Sequence, residues 1–421
     1  MDDTEWKEHG KFIAESRSDL PSSFDRPPRN PAEKVTSGFK CWEFIHWIYA
    51  FMPALLYGKI PDQHWRVICQ LVAGVRIIFQ KQCTHEELQK AHKLLSDFKY
   101  NLEDIFAQRK ISCMRFMPQC THAVTHFPTA YMCIGPLICS SQFPIERTIG
   151  DLGAELRQPS NPFANLAQRA LLRAQTNTLK AMYREFDDMP AETRPSLILH
   201  ANKGYALLHP RDDRPRCVLP AEEHAIQQWI ETKGGADAVN EWISEGQAIR
   251  HWARCRIPGG EDARSAWKEL STKTTRSSRY VQVYLSSNFR YIFMLTLFLQ
   301  IRTTQTDVSY VEVLYYFQQT LQGVTHNVAL VNLHGPPDPH LLETSYDTVW
   351  AARHHQGLGI IDTTQIITCV GMAPRKFQTP FTNGSEVLYF VIPKLGADVG
   401  RWGDQPWTDD DSDADDDDDD E

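Results

Sequence analysis

The residues of this chain best suited to chemistry are Glu146 and Arg147, set in SQFPIERTIGDLGAELRQPSNPFANLAQRA, residues 141–170. Pro144 fits the opening turn of a helix, where its missing N–H costs nothing. Ser140 or Ser141 can cap the free N–H groups ahead of it. Ile145, Ile149, Leu152 and Leu156 recur at helical spacing, so the helix is expected to bury an apolar face. Glu146 then sits near the positive end of the helix dipole, which favours the ionised carboxylate needed to hold a metal. On spacing alone, the commoner reading is a pair of ordinary first-turn charges.

Other constellations carry weaker signals. His122 and His126 are four apart, hence on one helix face. With Cys120, and Cys113 before it, they could form a zinc site, although C-x6-C-x-H-x3-H matches no usual finger spacing. The alternative is two core-facing histidines bonded to backbone or carboxylates. Arg169, Arg173, Lys180 and Arg184 fall within roughly a 60° sector of a helix that starts at Asn161 and Pro162. Leu171, Leu172, Leu179 and Met182 occupy the opposite side. A basic stripe can neutralise nucleic-acid phosphates, and is more often a solvated face. Between residues 250 and 280, eight Lys/Arg stand against three Asp/Glu, with Trp252 and Trp267 interspersed. Arg250 and Arg254 open that stretch, which suits nucleic acid as well as it suits a charged linker. The sequence has no Gly-rich phosphate loop, GxSxG or Cys–His–Asn arrangement, so nucleotide hydrolysis and proteolysis have no support.

The elements that must position these residues are legible in outline. Residues 1–39 read as an extended arm, Pro- and charge-rich, with one short helix at residues 4–16. From Lys40 the chain turns helical. Trp42, Ile45, Ile48, Tyr49 and Met52 give a broad apolar face ended near Pro53. Asp62 caps a second helix whose Trp65, Ile68, Val72, Val75 and Phe79 keep the helical period. Thr84 and Glu87 form a capping box for a third, and a fourth near Met117 or Thr121 carries the two histidines. Helices in this density make a helical layer over residues 40–185 rather than a doubly wound sheet. Residues 186–280 read as a basic helical linker, with helices near 222–232 and 236–253. Over residues 281–400 the period changes. Val311, Val313, Tyr315 and Phe317 alternate with Tyr310, Glu312, Leu314 and Tyr316, and short strands follow at 328–333, 348–353, 366–372 and 387–392. These predict a small β-barrel or sandwich.

Composition sets bounds. The 421 residues leave room for two or three domains. The net charge of −9 is set by residues 409–421, which hold eleven acidic side chains, so the body is close to neutral with basic patches. That tail, within residues 401–421, is expected to stay disordered and could engage basic nuclear proteins such as histones. Ten cysteines without a CxxC, behind a polar N-terminus, fit a reducing cytosolic or nuclear setting. The longest apolar run, residues 291–301, is too short to span a bilayer, so no membrane association is expected. It lies within an unusually apolar stretch, residues 286–303.

Two blocks resemble CACTA (En/Spm-type) transposases of the fungal branch. One is GP…(S)Q…ERTIG.LG.E.RQPSNP…L.QRA around Glu146. The other is FDRPPRNPAEKVTSGFKCWEF, residues 24–44. The similarity runs from about residue 6 to 180, and more loosely over the final third, where such transposases carry a β-rich domain. It implies an α+β chain whose N-terminal half is part of an RNase H-like core with a helical insertion. In that core three carboxylates hold two magnesium or manganese ions, which activate water or a DNA 3′-hydroxyl. The resemblance makes Glu146, with Arg147 beside it, the third acid and a metal ligand. The two aspartates would lie upstream of Trp6, in sequence this chain lacks, and nothing marks Asp62, Asp97 or Asp104 as replacements. The block departs from the family at Asp151 and Ala154, where Asn and Glu are commoner. The implied function is DNA transposition by descent, in a nuclear, truncated and catalytically inactive chain that binds DNA weakly. The rivals are a non-enzymatic nuclear scaffold that binds chromatin, and the distal half of an active longer transposase.

Overall fold

The computed structural model describes residues 1–395, except 25–26, 36–37, 81, 157–159, 184–197, 203, 259, 272–275, 285–307, 355–356 and 383–385. Arg184, the whole apolar stretch at 286–303 and the acidic tail therefore lie outside the described residues.

The N-terminal residues are not an extended arm. Asp2 accepts from Glu5 N at 2.8 Å while Glu5 accepts from Asp2 N, a complete capping box for α1 (Asp3–Glu15). His9 and Ile13 face inward, and Leu20 and Phe24 beyond the helix are fully buried. Burial pushes His9 down to about 4, so its neutral Nε2 accepts from Trp47 Nε1 at 2.9 Å. Asn30 caps the short α2 (Pro31–Lys34).

The segment at 24–44 is closed by an ion pair. Glu43, 1% exposed, accepts from Arg29 N, Nε and Nη2 at 3.0, 2.8 and 2.7 Å, and from Lys40 N at 2.7 Å. Burial opposes its charge, but the Arg29 guanidinium and the two backbone donors outweigh burial and hold the carboxyl down to about 2. From there α3 (Cys41–Ile45), a π-helical turn and α4 (Met52–Leu56) run almost without a break. Next come α5 (Asp62–Ile78) and α6 (His85–Asn101), the latter opened by the expected Thr84–Glu87 box. These two helices meet closely at Gly74, where an added Cβ would stand 2.6 Å from Leu95 Cγ.

Residues 198–264 are not a helical linker alone: the helices expected at 222–232 and 236–253 appear as one, Pro220–Ser244, broken at Gly235, while strands on either side of it join the large sheet. Its strands are β1 (Ile198–Asn202), β2 (Tyr205–Arg211), β5 (Trp252–Arg256), β6 (Asp262–Arg264), β7 (Tyr280–Tyr284), β8 (Val308–Leu321), β9 (Val324–Leu333), β11 (Gly357–Asp362) and β12 (Ile366–Cys369). All pair antiparallel, along β1-β2-β5-β8-β7-β12, with β9 joining β8 to β11 and β6 beside β5. β3 (Arg216–Cys217) and β4 (Ala248–Ile249) flank α12 (Pro220–Ser244), which breaks at Gly235, φ +79°. One face of the sheet gathers Trp252, Cys255, Val281, Val313, Tyr316 and Val331, and no closed barrel forms among the described residues. At its β6 and β12 margins the Glu261 carboxylate accepts from Thr368 Oγ1 and Cys369 N in place of a ladder.

A second sheet, β10 (Ala351–Ala352), β14 (Val387–Ile392) and β13 (Gly371–Lys376), packs on the N-terminal helices. Ile13, Leu20, Phe24, Trp47 and Phe51 share one core with Leu388, Phe390 and Ile392. Ser277 N donates to Ser18 O at 2.9 Å, and Ser22 N to Ser278 Oγ at 3.2 Å. The N-terminal residues thus tie the helical half to the β region. At the coarse level the α+β expectation holds: a helical N-terminal half followed by antiparallel sheet. No helix among the described residues is long and apolar enough to cross a membrane.

Candidate nucleic-acid interface

The chain between residues 108 and 183 is built differently from the rest. It runs through α7 (Gln119–Ala123), a 3-10 turn, α8 (Phe127–Ile134), α9 (Leu137–Ser140), α10 (Gln142–Ala154) and α11 (Pro162–Met182). Among its described side chains Pro128 alone is buried. Val124, Phe127, Tyr131 and Leu137 fix the near end by packing on Val75, Ile78, Leu88 and Leu95 of α5 and α6. Beyond Leu137 the helices stand on each other.

Glu146 is the fifth residue of α10 and is exposed. The helix starts earlier than Pro144 suggests, so Glu146 lies past the first turn. Ser141 takes the N-cap position, yet its hydroxyl donates to Ile138 O at 2.8 Å instead of serving as a cap acceptor. The expected burial of the apolar face is only partial: Ile145 and Ile149 are 62% and 64% exposed, while Leu152 and Leu156 are half-buried. Gly150 and Gly153 share the Glu146 side of the helix by spacing, and a Cβ at either would meet open space. Among the described residues no group of three His, Cys, Asp or Glu is gathered to hold a metal. Arg147 lies on the same helix, with its side chain outside the described ones.

The second helix of this pair carries the cations. Asp151 and Glu155, at the end of α10, reach Arg173 of α11 at 3.5 and 2.8 Å. Asp151 therefore supplies an ion pair here. Arg169, Arg173 and Lys180 line a single shallow groove with Glu155, Leu172, Thr176 and Asn177. Neither Arg169 nor Lys180 has an ionic partner among the described residues. Sequence reasoning found the three cations and missed Thr176 and Asn177, which lie three and four residues beyond Arg173, one turn further along the same face. The far side of α11 is apolar and uncovered, with Leu171, Leu179 and Met182 all more than half exposed, whereas Leu172, expected there too, lies in the groove.

The remaining candidates separate. Arg254 is half-buried and committed within the sheet: its Nε donates to His209 O at 2.8 Å and its Nη1 lies 3.6 Å from Asp262. Arg256 is clamped by the same Asp262, so the basic stretch is answered across its own β5–β6 hairpin. Arg250 is half-buried between β4 and β5. Neither Arg250 nor Arg254 joins the α10–α11 groove. His122 and His126 are not core histidines. They stand in the outer helical layer with Nε2 atoms 3.1 Å apart and rings nearly perpendicular. Cys120 does not join them as part of a three-ligand group, because positions two apart on a helix point in different directions.

The α10–α11 pair thus offers an exposed carboxylate and a groove carrying two uncommitted cations, a surface able to bind phosphate. Set beside known proteins, the chain matches no family model, no curated protein and no solved structure.

Proposed function

We propose that this chain is transposase-derived, acts in the nucleus, and binds DNA weakly through the α10–α11 groove without cutting it alone. The observation that carries the reading is the groove itself. Arg169 and Lys180 line one concave surface with no ionic partner among the described residues, while Arg173 is already offset by Asp151 and Glu155. DNA as the phosphate source rests on the resemblance of the 141–170 block to CACTA transposases. Two phosphate contacts give a log–log salt slope near −2, hence binding that is weak and salt-sensitive. Two-metal cleavage needs carboxylates converging on ions about 3.5–4 Å apart, and Glu146 stands exposed on an outlying helix. Magnesium or manganese would enter only at a site completed by further carboxylates.

Fluorescence anisotropy of the full chain on duplex DNA, from ~50 to ~200 mM salt, the range over which phosphate contacts weaken, tests the reading. Arg169→Gln with Lys180→Gln should flatten the salt slope by about 2 and lower affinity at least tenfold at low salt. Unchanged affinity and slope would show that the stripe is an ordinary solvated face. DNA nicking with magnesium that vanishes in Glu146→Gln would overturn the non-cleaving part.

A further inference from the structure

We propose that residues 409–421 dock on the α10–α11 groove of their own chain and occupy the cations that would otherwise hold phosphate. Three observations lead there. The first is charge: the tail carries eleven acidic side chains and no basic one, and the groove presents Arg169 and Lys180 without ionic partners among the described residues. Arg173 is already countered by Asp151 and Glu155, so the tail engages the other two.

The second observation is where the chain leaves the described fold. Leu395 is 9% exposed and sits in the same apolar cluster as Val75, Ile78, Leu88 and Leu95, against which Tyr131 and Leu137 also pack. Leu137 opens α9, and α9 leads directly into α10. The tail therefore departs from the base of the helix pair that carries the groove.

The third is reach. From Leu137 to the end of α10, where Arg173 meets Glu155, the path is one four-residue helix and one of 13 residues, about 26 Å at 1.5 Å per residue. Residues 396–408 can span about 40 Å at ~3.3 Å each before the first tail aspartate. A tether of that length holds the tail near the groove at an effective concentration on the order of millimolar. Even a pair of cations then competes with dilute DNA. The effect on DNA rests on the function proposed above, but the docking does not.

Zero-length carbodiimide cross-linking of the full chain at ~50 mM salt, where charge pairing is weakly screened, tests the docking without DNA. Peptide mapping should find Lys180 joined to a residue of 409–421 in the monomeric band, and the cross-link should fade in Arg169→Gln. Tail cross-links on other lysines with Lys180 untouched, or found in dimers alone, would overturn the proposal. In a second arm, a full-length chain with its ten tail aspartates changed to Asn and Glu421→Gln is measured on DNA. Affinity should rise at least tenfold at ~50 mM salt, with the gain shrinking by ~200 mM. A Lys180 cross-link with no change on DNA would keep the docking and sink the phosphate-binding reading of the groove. A tighter grip on DNA without that cross-link would sink the docking.

Discussion

Glu43→Gln should destabilise the protein by about 2–3 kcal/mol at pH 7. The carboxyl is held down to about 2 from an ordinary value of 4.5, and each tenfold change in proton affinity is worth about 1.4 kcal/mol. Over that interval the pairing contributes slightly more than about 3 kcal/mol. The expected loss is smaller because Glu43 is 1% exposed while its partner Arg29 is 42% exposed, which lets water screen one side of the pair. The glutamine keeps one acceptor but sets an amide against Arg29 and the backbone donors at 29 and 40. Urea unfolding of wild type, Glu43→Gln, Arg29→Ala and the double variant would give the coupling energy directly. The sign of the pH dependence follows from the depressed pKa. The stabilisation is complete above about 4.5 and is lost as pH falls toward 2. The gap between wild type and Glu43→Gln should therefore close over that window. A gap under ~0.5 kcal/mol at pH 7, the size of an ordinary surface substitution, would refute the argument. So would a gap that stays constant down to pH 3.

Asp19 has the opposite sign: burial raises it to about 6, with Arg279 pulling the other way. Its protonation favours the folded state, so its contribution is present at low pH and lost as pH rises through 6. Asp19→Asn should stabilise the chain by about 1–2 kcal/mol at pH 7 and by little at pH 4, read as a shift in urea midpoint. Gly74→Ala should cost about 1–3 kcal/mol, because its Cβ would overlap Leu95 where α5 and α6 cross. A neutral result in thermal unfolding would mean that Leu95 moves aside freely.

Local signals were legible where the chain's own period decides the structure. α6 opens on its Thr84–Glu87 box, α11 runs over Pro162–Met182, and β14 spans Val387–Ile392, all as spacing predicts. The alternation in β8 is half right. A bulge between Val313 and Tyr315 flips the strand, so Val311, Val313 and Tyr316 line one face of the sheet while Tyr315 and Phe317 face α12. Periodicity cannot show such a slip, since it depends on the partner strand. The N-terminal misreading has a related cause. Proline-rich turns around residues 21–31 suggest an extended chain, yet Arg29 finds Glu43 and Trp47 finds His9, pairings made only in three dimensions. Arg254 and Arg256 look available for phosphate until the hairpin brings Asp262 alongside. In the candidate site the cations were visible as a helical stripe. The exposure of Ile145 and Ile149 was not, because an apolar stripe says that a helix wants a partner, not that it has one.

The outlying position of α10 and α11 bears on how such a chain ages. Substitutions that unfold a protein act through its buried core, and cellular quality control responds to that loss. Glu146, Gly150 and Arg169 lie outside any buried cluster, so replacing them leaves the folded fraction, and with it the protein's abundance, almost untouched. Substitutions on this helix pair can therefore accumulate while proteases and chaperones register little. Damage to the buried Glu43 or Trp65, by contrast, would lower the folded fraction and with it the abundance.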